Sequence, residues 1–158
     1  MPATVMFYHL TQKGLDDTLL PILTRALGQD WRVMIRCTDP ALIQHLDAKL
    51  WLPEDSFMPH GIEGCPHDAQ HPVLLGAGPI TNNARGLFLL AGAQAQPAEA
   101  ATLDRIWLIF DGADLAAVQA ARLEWTRMTA WGLAAQYWSD ETGAWVKKTE
   151  KSAAPPAA

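Results

Sequence analysis

Four groups of residues in the chain could carry chemistry. Cys65-Pro66-His67-x-x-x-His71, with His60 nearby, brings a thiol and imidazoles close together in sequence. Thiolate and imidazole at short spacing are zinc ligands. The set offers three ligands in a loop and no paired Cys-x-x-Cys elsewhere, so polar loop residues that include histidines are the simpler account. A second group is glycine-bearing turns after strands, which can cradle phosphate. Thr11-Gln12-Lys13-Gly14 has one glycine, and Gly76-Ala77-Gly78 is followed by Pro79. Neither matches G-x-x-x-x-G-K-[ST] or G-x-G-x-x-G. The third group is the nucleophiles. Ser56, Ser139 and Ser152 lack a G-x-S-x-G elbow, and nothing marks an oxyanion hole. Asp16-Asp17 suit the positive end of a helix better than a pair of catalytic acids. No active site is expected.

The fourth group is a surface. Arg122 and Trp125 are i,i+3 neighbours on one helix face, with Arg127 further along and Lys147-Lys148 after Trp145. Guanidinium and ammonium groups around exposed rings can receive an acidic peptide ending in an aromatic residue and a carboxylate. The competing account is a solvated helix face with half-buried tryptophans. The chain has seven tryptophans, four of them after position 120. They form either an interface or the edge of a core. Trp51, Phe57 and Met58 are too many large apolar groups for a loop that faces only water. That loop either folds onto the sheet or meets a partner.

The elements that must position these residues can be read from periodicity and punctuation. Thr4–Leu10 is a strand, and Leu15–Leu27 a helix stopped at Gly28, with Pro21 required in its first turn. Trp31–Cys37 is a strand. Asp39-Pro40 caps a helix to about Leu52. Residues 53–72 read as a long loop and Val73–Leu75 as a short strand. Gly76–Arg85 is a second loop and Gly86–Leu90 a strand. Ala91–Leu103 holds a turn of helix, and Arg105–Phe110 is a buried strand. Asp114 caps a helix to about Trp131, ended by Gly132, and Leu133–Ser139 is a short edge strand. Alternation of this kind predicts a three-layer α/β/α domain with a mainly parallel sheet, Rossmann-like without a phosphate-binding loop. The domain is expected to span residues 1–148, with a disordered tail over 149–158.

At 158 residues, 49% apolar and 18% charged, the chain has ordinary globular chemistry. No apolar run approaches the ~18 residues that span a bilayer, and MPATVMFYHL has no signal-peptide pattern. A soluble cytoplasmic protein with no membrane contact is expected, and two cysteines fit a reducing compartment. A net charge of -5 argues against unaided coating of nucleic acid, so contact with nucleic acid should be mainly indirect.

The sequence resembles the chi subunit family of bacterial DNA polymerase III over nearly all of residues 1–148. The resemblance is carried by Thr4–Leu10, Leu15-Asp16-Asp17-Thr18-Leu19, Arg32–Cys37 and Leu46-Asp47-x-x-Leu50-Trp51. It continues through Ser56-Phe57-x-Pro59-His60, His71–Leu75 and Ala120-Ala121-Arg122 with Trp125. It implies a non-catalytic accessory of the clamp loader, without a cofactor. It also implies two partners: the acidic C-terminal tail of single-stranded-DNA-binding protein, and the psi subunit or another clamp-loader component. The tail site would fall on Arg122, Trp125 and Trp145, with Lys147 or Lys148 at its rim and Arg127 or Lys147 making up for Thr126, where familiar members carry lysine. The psi surface would fall on Trp51 and Phe57, beside Met58. Cys65–His71 is not part of the family pattern. A degenerate nucleotide-binding enzyme and a zinc-binding regulator are the readings from other classes.

Overall fold

Side-chain alternation along the strands decides the architecture, because successive residues of a strand point to opposite faces of the sheet. A computed structural model describes residues 3–51 and 60–153. Its elements are β1 (Thr4–Leu10), α1 (Leu15–Gly28), β2 (Val33–Cys37), α2 (Pro40–Trp51), β3 (His60–Ile62) and β4 (Val73–Gly76). β5 (Gly86–Leu90), α3 (Pro97–Thr102), β6 (Arg105–Asp111), α4 (Leu115–Ala130), β7 (Ala134–Ser139) and β8 (Val146–Lys151) follow. The strands form one sheet in the order β3-β4-β2-β5-β6-β1-β7-β8. Every pairing is parallel except that of β7 with β8.

Val5 and Phe7 of β1, Ile106, Leu108 and Phe110 of β6, and Ala135 of β7 pack under Val118, Ala121 and Met128 of α4. Met6 of β1, and Trp107 and Ile109 of β6, pack on the other face with Leu19 and Leu23 of α1 and Leu46 and Leu50 of α2. Two apolar layers on one sheet give the expected three-layer α/β/α arrangement. β2 and β5 are buried at every position, as strands covered on both faces must be.

Several boundaries differ from the sequence reading. Pro21 lies inside α1, not in its first turn. Pro21 and Asp17, whose carbonyl loses its partner, are both exposed to solvent. Gly28 stays within α1, and the left-handed residue that follows is Asp30 (φ 61°), a residue type that tolerates this conformation. The stretch read as a loop over 53–72 contains edge strand β3 and a 3₁₀ turn at Asp68–Gln70. Leu133–Ser139 is no edge strand: β7 lies between β1 and β8. β8 is the edge, and it carries ordered chain to Lys151, past the expected boundary at 148. Its six residues are all exposed and three are lysines. Lysine at an edge opposes further strand pairing, and such a strand has no apolar pattern to betray it.

Candidate functional site

The flank of α4 that faces β7 carries an aromatic corner. Phe7 and Tyr137 are opposed in the β1–β7 register and their rings stack 6.3 Å apart. Trp125 reaches down from α4, its ring 5.2 Å from Phe7 and 6.2 Å from Tyr137. His9 closes the end, with Nδ1 2.6 Å from the Tyr137 hydroxyl and its ring 5.0 Å from Phe110. Trp125 and Tyr137 are half-buried and Arg122, one helical turn before Trp125, is exposed. Burial raises the Tyr137 pKa, and the Arg122 charge pulls against that rise. No carboxylate pairs with Arg122 among the described residues. Phe7 is fully buried and backs the corner, so Trp125 and Tyr137 form the apolar wall at the surface, beneath a guanidinium free to bind a carboxylate.

Arg122 and Trp125 share a flank of α4, but the other residues expected beside them do not join them. Trp145 packs on the opposite face of the sheet, its ring edge-on to Tyr8 at 5.2 Å. Arg127 lies on the far flank of α4, where it donates to Glu124 (3.0 Å) and to the Ala95 carbonyl (3.0 Å) and covers the Trp131 ring. Lys147 pairs with Glu150 and Lys148 with Glu141. Tyr137 is the residue the sequence reading missed. Its only signal was the two-residue alternation with Ala135 on β7. Register also sets Lys151 opposite Ala135 and Thr149 opposite Tyr137, which places both on the α4 face.

The remaining predicted groups separate. No three His, Cys, Asp or Glu residues converge to hold a metal among the described residues. Cys65 is exposed, with its N–H donated to the Asp68 carboxylate. The His71 ring instead lies over Gly61, where a Cβ would collide with it. Phe57 and Met58 lie outside the described residues, as does the side chain of Trp51, whose backbone ends α2.

The turns that a nucleotide-binding sheet would aim at phosphate are already filled. Backbone N–H groups of Thr11, Gln12 and Lys13, in the β1–α1 turn, donate to the Asp140 carboxylate at 2.6, 3.2 and 2.6 Å. The Thr11 hydroxyl adds a fourth donor at 2.6 Å. Burial alone would raise the Asp140 pKa, but these donors outweigh it and bring it down to about 2. In the Gly76-Ala77-Gly78 turn, Ala77 and Gly78 donate their N–H groups to Glu63 at 2.9 and 3.0 Å. A Cβ at Gly76 would strike that carboxylate.

These observations define a class: a three-layer, Rossmann-like α/β domain whose two glycine-bearing turns are closed by its own carboxylates. Within that class the identity is specific. The family model described as DNA polymerase III chi subunit, HolC, matches residues 1–136, and the chain belongs to that family, an accessory subunit of DNA polymerase III. No individual curated protein matches the chain significantly. The family match includes Arg122, Trp125 and Arg127; Tyr137, Trp145, Lys147 and Lys148 lie beyond it.

Proposed function

We propose that the chain is a non-catalytic adaptor of the clamp-loader complex that binds the acidic C-terminal tail of single-stranded-DNA-binding protein in the cytoplasm. The observation that carries this reading is the exposed, unpaired Arg122 beside the half-buried Trp125 and Tyr137 rings, which Phe7 backs from the core. A tail ending in phenylalanine would lay its ring on that wall and give its terminal carboxylate to the guanidinium, whose planar fork suits a carboxylate. Lys151, on the same face, would attract the aspartates behind it at longer range, an effect weakened by salt. In this reading Trp51, Phe57 and Met58 meet the psi subunit or another clamp-loader component, and contact with DNA is indirect.

Calorimetry with a synthetic tail peptide tests the assignment. Arg122→Ala should weaken binding by about 1.5–3 kcal/mol, the range for a charge-assisted hydrogen bond. Removing the peptide's terminal phenylalanine should abolish the signal. Unchanged affinity in Arg122→Ala would place the tail elsewhere. The nucleotide-binding alternative is disfavoured by Asp140 and Glu63, which occupy the donors a phosphate would need.

A further inference from the structure

The other flank of α4 borders a crevice of about 660 Å³ at the carboxyl ends of β5 and β6. In open α/β sheets this is where ligands sit, and the usual ligand there is anionic. Here the chemistry is reversed. The floor is apolar, with Leu10, Leu89 and Phe110, and the α4 wall presents Ala117, Ala120 and Leu123. The rim carries Asp39, Asp111 and Asp114, all exposed and none paired with a cation among the described residues. Asp39 accepts from the Ala41 N–H, and Asp114 from those of Ala116 and Ala117. The helix ends that would greet an anion are thus occupied by anions. Glu124 also lines the crevice, but Arg127 neutralises it.

The apolar surface does not stop at the crevice. Leu123, which lines the crevice, is 70% exposed. It carries the apolar wall of α4 beyond what a small molecule filling the crevice would cover. We propose that this crevice docks a cationic, amphipathic segment of a partner protein, which sets a leucine-like side chain on the floor and lysine or arginine against the three aspartates. The charge of the rim selects the sign of the partner. The surface is distinct from the Arg122 corner, which lies on the opposite flank of the helix and carries the opposite charge.

The probe is a labelled helical peptide with leucines on one face flanked by lysines, together with its counterpart carrying glutamate for every lysine. Both are titrated into the full chain. The lysine peptide should bind and the glutamate peptide should not. Asp39→Asn/Asp111→Asn/Asp114→Asn keeps the capping acceptors and removes three charges, and should weaken binding about tenfold or more. Leu123→Ser, at an exposed position, should do the same without altering the melt. Amide resonances of Ala91–Gln94, which line the crevice, should shift on binding. The proposal is overturned if the lysine peptide does not bind or if both peptides bind equally. It also fails if the triple variant or Leu123→Ser keeps full affinity, or if the shifts cluster on the Arg122 flank.

Discussion

Asp140 does for the β1–α1 turn what a bound anion would do in another protein of this architecture. Three successive N–H groups point at one place, and such a concavity binds negative charge. Asp140 is fully buried there, so removing its carboxylate leaves three donors without an acceptor. Asp140→Ala should therefore cost roughly 2–4 kcal/mol in urea unfolding. The pH dependence has a definite sign. The folded-state pKa of about 2 lies below the ordinary 3.8, so the unfolded chain takes up the proton first as pH falls. The stabilisation is complete above the ordinary value and is lost as pH drops through 3.8 toward 2. Urea midpoints across that range should fall more steeply in the wild type than in Asp140→Asn, which keeps one acceptor oxygen. Parallel curves would mean that this carboxylate is not held in its charged form.

At the scale of elements, α3 and β8 hold the sheet in ways the sequence concealed. α3 has only six residues and one of them is buried, too short to stand by packing or propensity alone. Its Glu99 takes a bidentate pair from Arg36 on β2 at 2.6 and 2.9 Å, while the same guanidinium donates to the Gln94 and Gly78 carbonyls. Burial would raise the Glu99 pKa, but the bonds from Arg36 and from the Gln96 N–H bring it below the usual range. Arg36→Ala strands that carboxylate and should cost roughly 3–5 kcal/mol, read as a drop in chemical stability. Periodicity could not show this, since the partners are 63 residues apart and sit in a strand and a helical turn. β8 was hidden for a different reason: VKKTEK has no buried face to give a pattern. The family resemblance puts Trp145, just before it, beside Arg122, but the side of the sheet it reaches depends on how β8 returns along β7. Trp145→Ala should thus cost about 1–2 kcal/mol of stability, as suits a half-buried ring, and leave tail-peptide affinity unchanged. A matching loss of affinity would place this ring in the binding corner after all.

For the whole molecule, the order of strands and helices was legible because buried parallel strands are continuous apolar runs and α2 and α4 carry aspartate caps. β1, β2, β5 and β6 lie where Thr4–Leu10, Trp31–Cys37, Gly86–Leu90 and Arg105–Phe110 were read, and Asp114 caps α4 as expected. The absence of a phosphate loop was legible too; what fills the turns was not, because Asp140 and Glu63 act across 129 and 15 residues of chain. This decides how the protein should meet a nucleotide. A triphosphate in either turn would have to displace the carboxylate that fills it, and one in the crevice would face Asp39, Asp111 and Asp114. Each displaced carboxylate would lose charge-assisted bonds worth about 1.5–3 kcal/mol apiece, and the repulsion would remain. A nucleotide present at 100 times its dissociation constant would stabilise a native site by about 2.7 kcal/mol, a rise in Tm of roughly 5–10 °C at this size. Millimolar Mg-ATP should leave the Tm unchanged. A saturable rise that survives Asp140→Asn would show that the crevice accepts nucleotide despite its acidic rim, and would overturn both the adaptor reading of this fold and the cationic partner assigned to the crevice.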